Sequence, residues 1–380
     1  MKEDWKEVSL NEFVWFQRGY DLPKTRFKEG RIPVYGSTSI LGYHDEFKVK
    51  GPGIITGRSG TLGVMQYSKD DFWPHNTSLW VKDFKGNNEK FAYYLLSCLD
   101  FSLFNSGGAV PTLNRNVLNA FVVNVPPLPT QQKIADILSA YDDLIENNTK
   151  RIELLEEQAQ LIYEEWFVRM RFPNHENTKI DAETGLPKGW ELRTFADIVD
   201  INPKTSIKKG VVAPFVPMGS ISTSSMIIDP IEERAVSGGT KFKNGDTLFA
   251  RITPCLENGK TGFVQFMQDD DSIATGSTEF IVLRETSSCG KYFIYCTSRE
   301  EEFRENAIKS MVGSDGRQRV NTDCFEKYMV NFAPNEVRLK FEELCEPMFR
   351  SIQIFIEQNQ KLKEARDILL PRLMMGIIEV

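Results

Sequence analysis

Apolar residues recur every seven positions through residues 131–170, in two rows that lie four residues apart. The rows are Ile134, Tyr141, Asn148, Leu155 and Ile162, and Leu138, Ile145, Ile152, Ala159 and Trp166. A seven-residue repeat sustained over five heptads predicts a long helix that packs against another helix as in a coiled coil. We expect the acidic residues of this segment on the solvated flank of the helix. They are Glu153, Glu156, Glu157, Glu164 and Glu165.

A second heptad pattern covers residues 336–380, displaced by 207 positions from the first. Its rows are Phe341, Met348, Phe355, Leu362 and Leu369, and Cys345, Ile352, Asn359, Arg366 and Leu373. Asn148 and Asn359 interrupt the two seams, and such a polar residue commonly fixes the register of a helix pair. We expect the two helices, each ~50 Å long at 1.5 Å per residue, to pair antiparallel, because each must run from its own globular module towards the other.

The globular segments before the two helices resemble each other, so the chain is a duplicated module. The matches keep their order while the offset between them rises from 185 to 207, as small insertions in the second copy would produce. The matched pairs are WKEVSLNEFV and WELRTFADIV at 185, GIITGR and DTLFAR at 193, NTSLWV and STEFIV at 201, FAYY and YFIY at 201, LNRN and VNTD at 207, and FVVNVPP and YMVNFAP at 207.

Short apolar runs in the globular segments predict strands, as in IPVYG, GIITGR, LGVMQY and TSLWVK, and residues 91–104 and 291–306 predict helices. The predicted fold is α+β: two similar α/β domains separated by two long antiparallel helices that form an intramolecular coiled coil with pseudo-two-fold symmetry. The predicted segments are a first domain (1–130), a first helix (131–170), a linker (171–189), a second domain (190–335) and a second helix (336–380).

Composition indicates a globular chain of 380 residues, with 41% hydrophobic and 26% charged residues. The net charge of −7 is unevenly distributed, because residues 131–170 alone carry four basic and nine acidic side chains. The acidic total therefore neither excludes nor favours a nucleic-acid partner. No stretch reaches the ~20 apolar residues of a membrane span. The residues MKEDWKEVSL lack the apolar core of a signal peptide, so we expect a cytoplasmic protein. The six cysteines show no CxxC spacing and are expected to be reduced and mostly packed thiols.

Catalytic motifs are absent from the pattern of residues. NGKTG at 258–262 contains a GKT triplet, but Pro254 stands where a phosphate-binding loop needs its first glycine. GRSGTLG at 57–63 lacks the frame of a nucleophile elbow. We expect no catalytic, cofactor or metal site in this chain.

Polar loops that follow predicted strands are the candidate binding sites. Arginine offers paired donors to guanine or phosphate, asparagine can pair with adenine, and glycine lets a loop backbone approach a duplex closely. The candidates in the first module are Arg58, Ser59, Gly60, Thr61, Asn76, Asn114 and Arg115. The candidates in the second module are Arg251, Thr253, Asn258, Lys260, Arg317, Gln318 and Arg319. Arg58 and Arg251 also fit a structural role, in which they bond turn carbonyls, and Asn76 also fits a turn.

Two segments carry a resemblance to a known family. PPLPTQQKIADILSAYDDLIENNTKRIELLEEQ (126–158) resembles the proline–glutamine start and long helix of the specificity (S) subunit of Type I restriction-modification systems, and LPKGW (186–190) resembles the start of that family's second variable domain. The duplicated domain-plus-helix plan extends the likeness over nearly the whole chain. The second helix departs from the pattern, because residues 332–349 lack the tandem prolines and glutamines.

The resemblance implies a non-catalytic subunit that recognises double-stranded DNA. Each globular module would be a target recognition domain for one half of a bipartite site. The helices would set the spacing and dock two modification subunits. Those partners would bind S-adenosylmethionine and methylate adenine N6, and a restriction subunit would add ATP-driven translocation and cleavage.

Two other classes of function remain open from the residues alone. One is a duplicated coiled-coil scaffold or regulator that binds DNA without a methyltransferase partner. The other is an enzyme whose site is built from residues that form no recognisable catalytic motif.

Overall fold

The computed structural model describes residues 4–105, 110–113, 115–314 and 316–380. Contacts divide the chain into two compact units. The first unit is Met1–Glu146 with Gln360–Val380, and the second unit is Asn147–Asn359. Each unit contains part of both long helices, and the first unit combines two separate segments of the chain whereas the second is continuous. Within the described part of the chain, no helix combines the length and the apolar character that a membrane span requires.

The first unit is a mixture of short strands and helices. Its described strands are β1 (Lys6–Ser9), β2 (Trp15–Arg18), β3 (Ile32–Tyr35), β4 (Ile40–His44), β5 (Gly53–Gly57), β6 (Met65–Ser68), β7 (Trp73–Pro74), β8 (Ser78–Asp83) and β9 (Val122–Val125). Its described helices are α1 (Leu10–Phe13), α2 (Glu89–Ser97), α3 (Arg115–Ala120) and the first part of α4 (Leu128–Tyr163).

Three sheets organise the strands of the first unit. One has the order β2-β8-β5-β6, and a smaller one has the order β4-β3-β7 with a parallel β3–β7 pair. β1 pairs antiparallel with β9, so the first and last strands of the globular part lie side by side. The core between these sheets and the helices includes Phe13, Phe16 and Phe91, all at most 1% exposed.

The second unit repeats this plan. Its described strands are β10 (Glu191–Thr194), β11 (Asp200–Ile201), β12 (Val212–Val216), β13 (Glu232–Ala235), β14 (Thr240–Phe242), β15 (Thr247–Ala250), β16 (Thr261–Phe263), β17 (Ala274–Gly276), β18 (Phe280–Arg284) and β19 (Met329–Phe332). Its described helices are α5 (Phe195–Ile198), α6 (Lys291–Arg299), α7 (Glu301–Lys309), α8 (Asn335–Met374) up to Asn359, and the end of α4, followed by a π-helical turn at Glu164–Val168.

Corresponding sheets have the same strand order in both units. The sheet β11-β18-β15-β16 matches β2-β8-β5-β6, and β13-β12-β17-β14 extends the β4-β3-β7 arrangement, again with one parallel pair. β10 pairs with β19 as β1 pairs with β9, at offsets of 185 and 207. The duplication predicted from the sequence is therefore a duplication of topology.

One predicted offset is wrong by one residue. Ser78 pairs with Gly57 in the first unit, and Phe280 pairs with Ala250 in the second. Gly57 and Ala250 are 193 positions apart, so the equivalent of Ser78 is Phe280, at an offset of 202. The starts of α2 and α6, at positions 89 and 291, give the same value. The sequence match of NTSLWV with STEFIV at 201 is displaced by one residue from the structural equivalence. Short apolar runs align almost equally well in neighbouring registers, which explains the displacement.

The predicted globular helices are shorter than expected. The helix predicted over 91–104 is α2 followed by a separate 3₁₀ turn at Phe101–Phe104. The helix predicted over 291–306 is divided into α6 and α7 at Glu300, whose ψ of 139° is extended rather than helical.

The long helices pair antiparallel in both units, as predicted. In the second unit the amide Nδ2 of Asn148 donates to Oδ1 of Asn359 at 3.0 Å, and the rings of Trp166 and Phe341 lie 6.1 Å apart. In the first unit Nη1 of Arg366 donates to Oδ1 of Asp142 at 2.7 Å. The residue number in these contacts rises along the first long helix while it falls along α8, as antiparallel pairing requires. Every residue of the predicted heptad rows is buried or half-buried.

Glu156 is not on a solvated flank, contrary to the sequence prediction. Its carboxylate accepts hydrogen bonds from the backbone N–H of Met226, at 3.0 Å, and from the hydroxyl of Tyr295. Burial raises the pKa of this carboxyl group. The prediction failed because the flank of α4 packs on the globular part of the second unit at this point.

Candidate nucleic-acid interface

In each unit, two loops that carry candidate residues are joined by a β-bridge, which we call the meeting point of that unit. Ser59 forms an isolated antiparallel bridge with Thr112 in the first unit, and Ile252 forms one with Arg319 in the second. These positions are related by the offsets 193 and 207, so the two bridges are equivalent. The structure therefore brings together loops that lie about 50 and 65 residues apart in the sequence.

Arg58 anchors the meeting point of the first unit through its backbone. It follows β5, whose five residues are all buried. The N–H of Arg58 donates to the carbonyl of Thr77 at 3.0 Å, and the carbonyl of Arg58 accepts from Leu113 at 3.0 Å. The Arg58 side chain is half-buried. A strand end that is bonded on both sides holds the side chains of this loop in fixed directions.

Hydroxyl groups dominate the rest of this site. The Ser37 hydroxyl donates to the carbonyls of Ser59 and Thr77, at 3.2 and 3.0 Å. Gly60 and Thr61 are exposed at the tip, and the backbone of Gly60 has a φ of +84° with open space around its α-carbon. Glycine adopts this left-handed conformation without steric cost.

The remaining candidates of the first unit are less well placed. The side-chain amide of Asn76 donates to the carboxylate of Asp21, so this residue already has a protein partner. Asn114 lies outside the described residues. Arg115 begins α3, and its side chain lies outside the described part of the chain.

Arg251 anchors the meeting point of the second unit. Its N–H donates to the carbonyl of Glu279 at 3.0 Å, and its carbonyl accepts from Val320 at 2.8 Å. These bonds repeat those of Arg58. Atom Nε of Arg251 is buried and has no hydrogen-bond partner among the described residues.

Arg319 forms an ion pair that the sequence did not predict. Its guanidinium contacts both carboxylate oxygens of Glu279, with Nη2–Oε1 at 2.6 Å and Nε–Oε2 at 2.9 Å. The hydrogen bonds from Arg319, together with the charges of Arg251 and Arg317, lower the pKa of the Glu279 carboxyl group. The charges of three arginines therefore act on one carboxylate, and Arg319 contacts it directly.

Lys260, Thr253 and Gln318 form hydrogen bonds that support the loops of the second unit. The ammonium group of Lys260 donates to the carbonyl of Met218 at 2.9 Å. The hydroxyl of Thr253 accepts from the N–H of Gln318 at 3.1 Å, and Thr253 in turn donates its own N–H to the Gln318 carbonyl. Asn258 and Arg317 are exposed.

Four polar residues at the meeting points were missed by the sequence analysis: Ser37, Thr77, Thr112 and Glu279. Glu279 follows a serine and a threonine just before a buried strand. This position in the sequence could have identified Glu279 as a candidate site residue. Its partner is 40 residues away in the sequence, so the pairing itself leaves no local pattern.

Three of the six cysteines are buried thiols, whereas Cys255 and Cys324 are half-buried and Cys98 is exposed. Cys289, Cys296 and Cys345 are buried, and burial raises the pKa of each. A thiol with a raised pKa is a weak nucleophile at neutral pH. Among the described residues, no group of three or more His, Cys, Asp or Glu side chains is arranged to hold a metal ion.

Known proteins of similar sequence and fold share this architecture. The model of the Type I restriction modification DNA specificity domain matches residues 2–157. The Type I restriction enzyme MjaIX specificity subunit of Methanocaldococcus jannaschii is 27% identical, over 99% of this chain and 86% of the relative. Over nearly its whole length, this chain is therefore similar to Type I restriction enzyme specificity subunits.

Further relatives carry the same description. The MjaVIII specificity subunit of the same organism is 21% identical over 100% of this chain and 94% of its own length. The Escherichia coli EcoEI specificity subunit is 31% identical over 47% of this chain and 32% of its own. The fold is similar to that of the Type I restriction-modification S subunit from M. genitalium, with a TM-score of 0.60 and 15% identity over 98% of this chain and 97% of the other. The duplicated topology is thus shared with a solved specificity subunit.

Proposed function

We propose that this chain is a specificity subunit that recognises a bipartite DNA site, and that each unit contacts one half of it. The duplicated meeting point of loops carries the proposal. The backbone bonds of Arg58 and Arg251 repeat, while the side chains beside them differ. A repeated frame with different exposed groups is suited to two half-sites of different sequence, because base edges are distinguished by the donors and acceptors presented to them.

The chain is proposed to be non-catalytic and to direct two modification subunits that bind S-adenosylmethionine and methylate adenine N6. A restriction subunit with ATP-driven translocation would complete the complex. The paired helices are the proposed docking elements for these partners and set the distance between the half-sites. A subunit that directs modification of cellular DNA is expected to work in the cytoplasm.

Charge supports a dependence on these partners. The chain has 46 basic and 53 acidic residues, whereas affinity for DNA comes largely from basic groups that neutralise phosphates. We expect the isolated chain to bind DNA weakly and the complex to bind tightly at the same salt concentration. Equal affinity of the two at matched salt would contradict this part of the proposal.

Methylome sequencing of the native host, with and without the gene, tests the main proposal. We expect one discontinuous N6-methyladenine motif to disappear when the gene is deleted, because sequence choice resides in this subunit. An unchanged methylome would instead support a DNA-binding regulator without a methyltransferase partner.

A domain exchange tests the assignment of half-sites. Replacement of residues 1–125 by the equivalent segment of another specificity subunit should change one half of the motif and leave the other intact. Replacement of residues 190–332 is the matched exchange and should change only the other half. A change in both halves after either exchange would show that the units do not read independently.

A further inference from the structure

The backbone of Arg319 is fixed on both sides. Its N–H donates to the carbonyl of Val312 at 2.9 Å, and its carbonyl accepts from the N–H of Val312 at 3.0 Å. The same residue forms the bridge with Ile252 at the meeting point of the two loops. Although the backbone is held, 45% of the side chain is exposed.

Glu279 holds the guanidinium of Arg319 in one orientation. Glu279 immediately precedes β18, its carbonyl accepts from Arg251, and its N–H donates to the hydroxyl of Ser277 at 3.2 Å. Its side chain is 21% exposed. Most exposed ion pairs contribute little to stability, because two long side chains must be immobilised. Here the contact is bidentate and both backbones are already fixed, so the consequence is orientation rather than stability.

This ion pair leaves donors available. The contact with Glu279 uses Nε and Nη2, whereas a guanidinium carries five N–H donors in a rigid plane. The free edge of an oriented guanidinium matches the O6 and N7 acceptors of guanine, which is the most common specific contact of arginine with a base. Arg251 and Arg317 add positive charge beside the pair.

We propose that Glu279 positions Arg319 to read a guanine in the half-site of the second unit. The inference rests on the proposed function and identifies a specificity-determining residue with its positioning partner. Phosphate could engage the same guanidinium, so the experiment must separate a base contact from a backbone contact.

The first unit provides an internal contrast. Thr77 and Thr112 occupy the positions of Glu279 and Arg319, at offsets of 202 and 207. A threonine hydroxyl contacts several bases and does not select guanine. The first half-site should therefore show no guanine requirement that arises from this position.

The test replaces the gene in the native host with Arg319→Lys, Arg319→Ala and Glu279→Gln variants and sequences N6-methyladenine across the genome. Lysine keeps the charge but lacks the planar fork, and glutamine keeps the size of Glu279 but loses its charge. The control is Glu305→Gln, which removes a carboxylate from an exposed Lys309–Glu305 pair on α7. It should leave the motif unchanged.

The expected result is confined to one base position. The preference for guanine at that position should fall by roughly 5- to 150-fold in Arg319→Lys and Arg319→Ala. It should fall by a smaller factor in Glu279→Gln, because Arg319 is still present but less well oriented. The half-site of the first unit should stay unchanged in all variants.

Two outcomes would overturn the inference. One is an unchanged motif in both Arg319 variants. The other is uniform weakening at every sequence with a salt dependence reduced by about one phosphate contact, which would identify a backbone contact. If a variant methylates no site, binding of the purified complex to duplexes that differ at the guanine position makes the same distinction. Failure of the proposed function is separate, because it would appear as an unchanged methylome after gene deletion.

Discussion

The first unit has Gly53 where the second unit has Asp246, at the equivalent start of the central strand. In the first unit the ring of Phe72 packs on this glycine, and a β-carbon at position 53 would lie 2.4 Å from the ring. In the second unit the fully buried Asp246 accepts two hydrogen bonds of 2.7 Å from Arg284. The equivalent of Arg284 in the first unit is Lys82, which is exposed. One strand order thus accommodates an aromatic ring in one copy and a buried ion pair in the other.

The globular helices begin differently as well. The side chain of Asn88 caps α2 by accepting from the N–H of Phe91 at 2.8 Å. α6 has Gly290 at the cap position, and the carboxylate of Glu342 on α8 accepts from Tyr292 and Phe293 at 3.1 and 2.9 Å. A local cap in one unit is replaced by a cap from a distant helix in the other. Backbone pairing is therefore what the two copies share, and polar side chains are where they diverge.

The buried ion pair gives the largest expected difference. Arg284→Met should reduce the free energy of unfolding of the second unit by about 3–5 kcal/mol, because it leaves the carboxylate of Asp246 buried without its partner. Lys82→Met is the matched change in the first unit and should alter stability by less than about 0.5 kcal/mol. Hydrogen exchange of peptides from β15 and β18, against β5 and β8, measures both. Equal effects would remove this distinction between the units.

The cap from Glu342 predicts a pH dependence in the second unit. Burial, with a smaller effect of the nearby Glu285, raises the pKa of Glu342 to about 7. The folded protein therefore binds this proton more tightly than the unfolded chain. The resulting stabilisation is complete below the usual pKa of 4.5 and is lost as the pH rises through about 7.

Glu342→Gln should flatten that dependence, which amounts to about 3 kcal/mol at most. Urea unfolding of the wild type and the variant between pH 4.5 and pH 8 measures the difference. Ala135 occupies the equivalent position on α4, so α2 should show no such pH dependence. If the variant and the wild type lose stability in parallel, Glu342 is not the titrating group.

The local cap of the first unit predicts the smallest effect. Asn88→Ala should lower the free energy of unfolding by about 1 kcal/mol, because the N–H of Phe91 loses its acceptor. Peptides from α2 should exchange faster while those from α6 keep their rate. Faster exchange in both helices would mean that the caps are not independent.

The sequence predicted features that repeat along the chain. The seam of α4 and α8 was predicted residue by residue, because a heptad pattern reports burial directly. The duplication was predicted from ordered offsets. The seam and the duplication could be predicted because each rests on many residues or matches that agree with one another.

Features that depend on a single tertiary contact could not be predicted. Glu279 and Arg319 are far apart in the sequence, and their contact exists only because β18 and a loop return to the same place. Glu156 carries the residue type of a solvated flank, yet it bonds Tyr295. A charge pattern gives the average environment of a helix face and not the neighbour of one residue.

The amide pair of Asn148 and Asn359 has a consequence for folding. The apolar residues of the seam would tolerate a shift of one helix along the other by seven residues. Such a shift would place Asn148 opposite Ile352, so the amides of Asn148 and Asn359 would each lose their amide partner within an apolar layer. Each unmatched group costs about 1–3 kcal/mol. A misaligned helix pair would therefore bury two amides without their partners, so this one polar contact disfavours registers that the surrounding apolar contacts alone would tolerate.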